Sequence, residues 1–191
     1  MTITADSDLA ALDTVTANLA DLVASIEEHH GALATPCTDW NLTALVDHVT
    51  GGNWFTVTIL AGDRAEDAMS VTLSQFGGKS ATRTAAIGSL TDQLDAFHRP
   101  EVLDRTWNHV AGDLTGRQIL RLRLHDLIVH SWDLEQTLRP GADLDGGLVQ
   151  WGLDDLAREG SLAAEHFGLV DLASAGLARD GAAAYLRLFG R

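Results

Sequence analysis

The stretch Arg121–Pro140, "RLRLHDLIVHSWDLEQTLRP", decides the fold. Its Leu, Ile and Val residues follow the period of an amphipathic helix, predicted from about Thr115 to Leu138 and ended by Pro140 and Gly141. Yet His125, Asp126, His130 and Asp133 place four polar groups within nine residues in its middle. Asp126, His130 and Asp133, at i, i+4 and i+7, fall within about 60° of one another on a helical wheel, whereas His125 points about 100° from Asp126. Leu122, Val129 and Leu134 border the same face. An unpartnered carboxylate in such a wall is expensive, so the set requires a cation, a hydrogen-bond network or a water-filled pocket.

Outward from this helix, the helical period continues. Leu9, Leu12, Val15, Leu19, Leu22, Val23 and Ile26 predict a first helix from about Asp8 to His30, and "ATPCTDW" breaks it. Asn41 is the expected N-cap of a second helix that carries Leu42, Leu45, Val46 and Val49 and stops near Gly62. Residues 63–80 give no clear period, and "QFGGKS" reads as a loop. "TRTAAIGSLTDQLDAFHRP" predicts a third helix closed by Pro100, and "EVLDRTWNHVAGDLTG" a short hairpin or extended linker. A further helix is expected around Leu148–Leu162 and a short one in "AAAYLRLFGR". The whole is an all-α fold: one domain over 1–191, a four-helix bundle with an irregular or hairpin segment and extra C-terminal helices.

Composition narrows the function. A net charge of −14, with no run of Lys or Arg, argues against nucleic acid as a partner. No apolar run is long enough to span a membrane, and "MTITADSDLAALD" has no secretory-signal pattern. Cys37 is the only cysteine, which excludes an internal disulfide and makes the cytoplasm the expected location. The expected partner is a small-molecule substrate. A homodimer through an exposed helix face is expected by analogy with similar bundles.

Asp126 and His130 can ligate one divalent ion, with His48 in "LVDHVTGGNW" as the third donor; the following Gly-Gly permits close backbone approach. Three protein donors leave a position open, the pattern of a catalytic site, and a thiolate-free N/O set suits Zn, Ni, Mn or Fe. Each residue also has an ordinary reading. A lone histidine on such a helix is usually satisfied or half-exposed, an Asp-x-x-x-His pair arises by chance, and Trp40 and Trp132 suit a core or rim. Cys37 is a rival nucleophile, though a cysteine beside a proline is more often structural. His29, His30, His98, His109, His125 and His166 read as surface or packing residues, and Asp39 and Asp47 as helix-terminal or solvent-facing charges.

"TPCTDWNLTALVDHVTGGNWFTVTILAGD", with Trp40, Leu45 and His48, and "LRLRLHDLIVHSWDLEQTL", with His130-x-Trp132-Asp133, together resemble the signature segments of the mycothiol-dependent maleylpyruvate isomerase N-terminal type. This is a branch of the DinB/YfiT-like metalloproteins; "YLRLFGR" resembles the close of its short single-domain members. The resemblance implies a DinB-like bundle with metal ligands at His48, Asp126 and His130, and an active-site role for Asp133, which would orient His130 or contact substrate. It further implies a thiol transferase or isomerase that uses a low-molecular-weight thiol such as mycothiol, with zinc the first choice of metal. Trp54, Phe55 and Trp132 are the expected pocket-lining residues. The chain departs from the isomerase branch in having Asp126 for Glu, Trp54-Phe55 where many relatives carry a basic residue, and no match to the additional C-terminal domain. Maleylpyruvate itself is therefore not the expected substrate. A non-catalytic metal- or ligand-binding module, and a DinB fold repurposed for hydrolysis or cyclisation, are the alternatives.

Overall fold

The computed structural model describes residues 5–158, 161–169 and 181–191. Its long helices are α1 (Ala5–Ala24), α2 (Leu42–Ala61), α4 (Arg83–His98) and α5 (Gly116–Leu138). Around the bundle axis they run α1, α4, α2, α5, each packed on its two neighbours. The core is built from their apolar stripes, with Leu12, Leu19, Leu45, Ile59, Leu90, Leu120 and Leu124 almost fully buried. Local chemistry sets several boundaries. Asn41 caps α2 by accepting from the Ala44 N–H, and Thr115 caps α5 in a reciprocal box with Gln118.

Three segments differ from the sequence expectation or sharpen it. α1 ends at Ala24 rather than His30: the Ser25 hydroxyl donates to the Leu22 carbonyl, and Glu28–His30 form a separate 3-10 turn. Residues 65–76 are a helix, α3 (Ala65–Phe76), packed on α2. Its period was hidden because its buried stripe is Ala65, Ala68 and Thr72, while Met69, Val71 and Leu73 are exposed. Its N-terminal cap comes from Asn108, far away in sequence, whose side-chain oxygen accepts from the Ala65 N–H. The ambiguous stretch after α4 is a hairpin, β1 (Thr106–His109) with β2 (Gly112–Thr115), which pairs buried Trp107 with buried Leu114.

After α5, α6 (Gly146–Leu156), α7 (Leu162–His166) and α8 (Gly181–Leu188) cover one flank of the bundle. They are fastened by a buried polar chain. His125, about 100° around the helix from Asp126, meets Asp155 of α6 through Nε2 (3.0 Å) and Tyr185 of α8 through Nδ1 (2.8 Å). Burial pulls the His125 imidazole pKa down against the pull of Asp155, so the neutral ring donates to the carboxylate and accepts from the tyrosine O–H. Deleting that hydroxyl leaves a buried acceptor unpaired. Tyr185→Phe is therefore expected to lower stability by about 1–2 kcal/mol in urea unfolding; an unchanged midpoint would show that the hydroxyl does not fasten α8.

Candidate metal centre

His48 lies on α2 and Asp126 and His130 on α5, and the helices bring them together. His48 Nε2 stands 3.2 Å, and His130 Nε2 3.4 Å, from the same oxygen, Asp126 Oδ1. Donors about 2.0–2.2 Å from a shared tetrahedral ion lie about 3.3–3.6 Å apart. The spacing and the N/O donor chemistry thus fit a divalent ion, and these three residues could hold one. Side-chain exposure falls from 36% at His48 to 19% at Asp126 and 9% at His130, so the cluster opens on the His48 side.

The other oxygen of Asp126 is occupied. Arg123, one turn earlier on α5, donates from Nη1 to Asp126 Oδ2. The rest of its guanidinium is held by Gln93 Oε1 (3.0 Å) of α4 and by Asn53 Oδ1 (2.8 Å) and the Val49 carbonyl (3.3 Å) of α2. Asn53 in turn donates to Ser89 of α4. Gly52 makes room: a Cβ there would sit 2.6 Å from Arg123 Nη1. Burial pushes the Asp126 carboxyl up, but Arg123 and the two imidazoles outweigh it and hold the group well below the usual carboxylate range. Asp126 can therefore offer an ion one oxygen, Oδ1.

His130 is steered from behind. Its Nδ1 lies 2.9 Å from Asp133 Oδ2, and Asp133, with no exposure, is gripped by both teeth of the Arg191 guanidinium. Burial pulls His130 down, while hydrogen bonds to Asp126 and Asp133 and the charges of both raise its pKa to about 9. The ring packed beside the cluster is Trp40, tilted against both imidazoles, with centroids 4.4 Å from His48 and 5.6 Å from His130. Phe55 is one of the three aromatics expected to line a pocket. It borders a cavity of about 190 Å³ with Arg123, Asp126, His109 and Phe167. Trp54 packs instead on Phe76 of α3, 5.0 Å between centroids, and Trp132 packs against the core. Cys37 is no thiolate at neutral pH. Burial pushes its thiol up, Arg191 pulls it part of the way back, and Asp133 opposes Arg191.

Sequence patterns had not singled out Arg123, Arg191 or His109. Arg123 resembles an ordinary i, i+3 partner, and the contacts of the other two come from distant elements.

Residues 12–135 match the family described as the mycothiol maleylpyruvate isomerase N-terminal domain. The chain belongs to this family. The matched segment contains His48, Asp126, His130 and Asp133. Two uncharacterized proteins of Mycobacterium tuberculosis, from strains CDC 1551 and H37Rv, are each 27% identical over 130 residues, covering 68% of this chain. The match spans 66% of the length of each relative, just under two thirds. No solved structure matches the chain.

Two outcomes follow from these charges. In the metal-free protein His130 carries a proton up to about pH 9, and an ion must displace it. Apparent zinc affinity should then rise close to tenfold per pH unit between about pH 7 and 9 and flatten above; a flat profile across that window would show that His130 is not displaced. The second concerns Arg123→Ala, which strands a carboxylate inside the bundle. The metal-free variant should lose about 3 kcal/mol in urea unfolding. Saturating zinc should restore more stability to the variant than to wild type, because the ion replaces the lost charge; equal gains would contradict this.

Proposed function

We propose that the protein is a metal-dependent enzyme of thiol transferase or isomerase type, using a low-molecular-weight thiol such as mycothiol. The observation that carries this reading is the convergence of the His48 and His130 imidazoles on Asp126 Oδ1, with Asp126 also bordering a cavity, in a chain of the mycothiol maleylpyruvate isomerase N-terminal family. His48, Asp126 and His130 would hold the ion, with zinc the first choice for this donor set and Ni, Mn or Fe compatible with it. When bound, the ion would lower the pKa of a coordinated thiol, so that the attacking sulfur is anionic near neutral pH.

The protein's own groups do the rest. Asp133 accepts the Nδ1 proton of His130 and leaves Nε2 as the donor atom. Arg123 takes up the second oxygen of Asp126, so the carboxylate would offer an ion only Oδ1 and would leave room for an exogenous ligand. Trp40 covers the two imidazoles and limits water on that side. Phe55 and the apolar wall beside it would receive the acceptor. Burial and the neighbouring His166 pull the His109 pKa down, which leaves a neutral imidazole at the cavity that could exchange a proton with the acceptor.

Elemental analysis tests the reading. Purified wild type should carry about one divalent ion per chain; His48→Ala and His130→Ala should be depleted, and a His29→Ala control should retain the ion. Calorimetry should show saturable mycothiol binding that disappears after chelation. Equal metal content in all four proteins would end the proposal. Metal retention without thiol binding or turnover would leave a metal-binding module.

A further inference from the structure

We propose that Arg191 is a positioning residue for the metal centre, holding His130 in its coordinating orientation through Asp133; this rests on the metal reading above. Arg191 Nε donates to Asp133 Oδ1 at 2.7 Å and Nη2 donates to Oδ2 at 3.0 Å, a two-toothed contact that fixes the plane of the carboxylate. Oδ2 of that carboxylate receives the Nδ1–H of His130 at 2.9 Å. A fixed carboxylate plane fixes where that proton must point, and hence where Nε2 points on the opposite edge of the ring. A histidine ligand is commonly oriented by a carboxylate in this way. Here the carboxylate has its own steering group, from outside the matched segment of residues 12–135.

The fold delivers Arg191 by two devices. Tyr185, wholly buried, docks α8 on His125 of α5. Gly190 then adopts φ +73°, its N–H bonding to the Arg187 carbonyl and the Arg191 N–H to that of Leu186. This glycine-dependent reversal turns the chain back toward α5. Arg191 is only 14% exposed and its Nη1 is tied to the Phe189 carbonyl, so the fork is preorganised rather than a loose surface pair. Without it, Asp133 is a fully buried carboxylate whose one remaining side-chain partner among the described residues is the ligand it should orient.

The test is zinc affinity, measured by competition with a chelating dye, alongside thermal unfolding. Arg191→Ala should weaken zinc binding roughly tenfold to hundredfold. Arg191→Lys, which keeps the charge and loses the fork, should fall between. Added guanidinium ion at low, non-denaturing concentration should restore part of the affinity of Arg191→Ala, which simple loosening of α8 would not allow. In an Asp133→Asn background, Arg191→Ala should cost little more. Zinc affinity of Arg191→Ala within twofold of wild type, with only the unfolding temperature lowered, would reduce Arg191 to a clasp for α8 and overturn the inference. Losses that multiply in the double variant would do the same. A wild type that binds no zinc overturns the metal reading and this inference together, whereas zinc-binding wild type with an unaffected Arg191→Ala overturns this inference alone.

Discussion

The architecture depends on the way Arg123 and Asp126 neutralise each other inside the bundle. Two charges taken out of water are tolerable only if their geometry is good and their remaining donors and acceptors are satisfied. Arg123 meets that condition by reaching α2 through Asn53 and Val49 and α4 through Gln93, while its partner faces two imidazoles. One ion pair on α5 therefore ties three of the four bundle helices together and leaves one carboxylate oxygen unclaimed by arginine. The need of a buried carboxylate for positive charge drives the arrangement, and imidazole, imidazolium and metal ion are successive ways of meeting it.

The same logic runs outward along α5. Asp133 repeats the theme one level removed from the donors, with His130 on one side and Arg191 on the other. On a different face of the helix, His125 uses Asp155 and Tyr185 to fasten the flanking helices. The polar residues that interrupt the apolar pattern of this helix thus serve two separate tasks. Asp126, His130 and Asp133 form the candidate site, and His125 holds α6 and α8.

What the sequence disclosed depended on how local the physics was. Asn41, Thr115 and Pro100 marked boundaries because caps and proline act within a turn, and the i, i+4, i+7 spacing placed Asp126, His130 and Asp133 on one face. His48 was legible as a donor only in combination with that set. α3 escaped because small residues form its buried stripe and larger ones face outward. Trp54, one of the expected pocket residues, packs on Phe76 of that helix. Arg123 and Arg191 were silent for a different reason: their significance lies in contacts from residues far away in the chain, which no spacing pattern encodes. Membership of the mycothiol maleylpyruvate isomerase N-terminal family agrees with the motif resemblance, and no helix among the described residues is long and apolar enough to cross a membrane.

The central claim is that one divalent ion sits between these two helices with an open position for sulfur. X-ray absorption at the zinc edge of the loaded protein tests it most directly. The account predicts a first shell of nitrogen and oxygen only, at about 2.0–2.2 Å with imidazole scattering beyond it, and a new sulfur shell near about 2.3 Å once mycothiol is added. A first shell without imidazole, or one that thiol leaves unchanged, would contradict it.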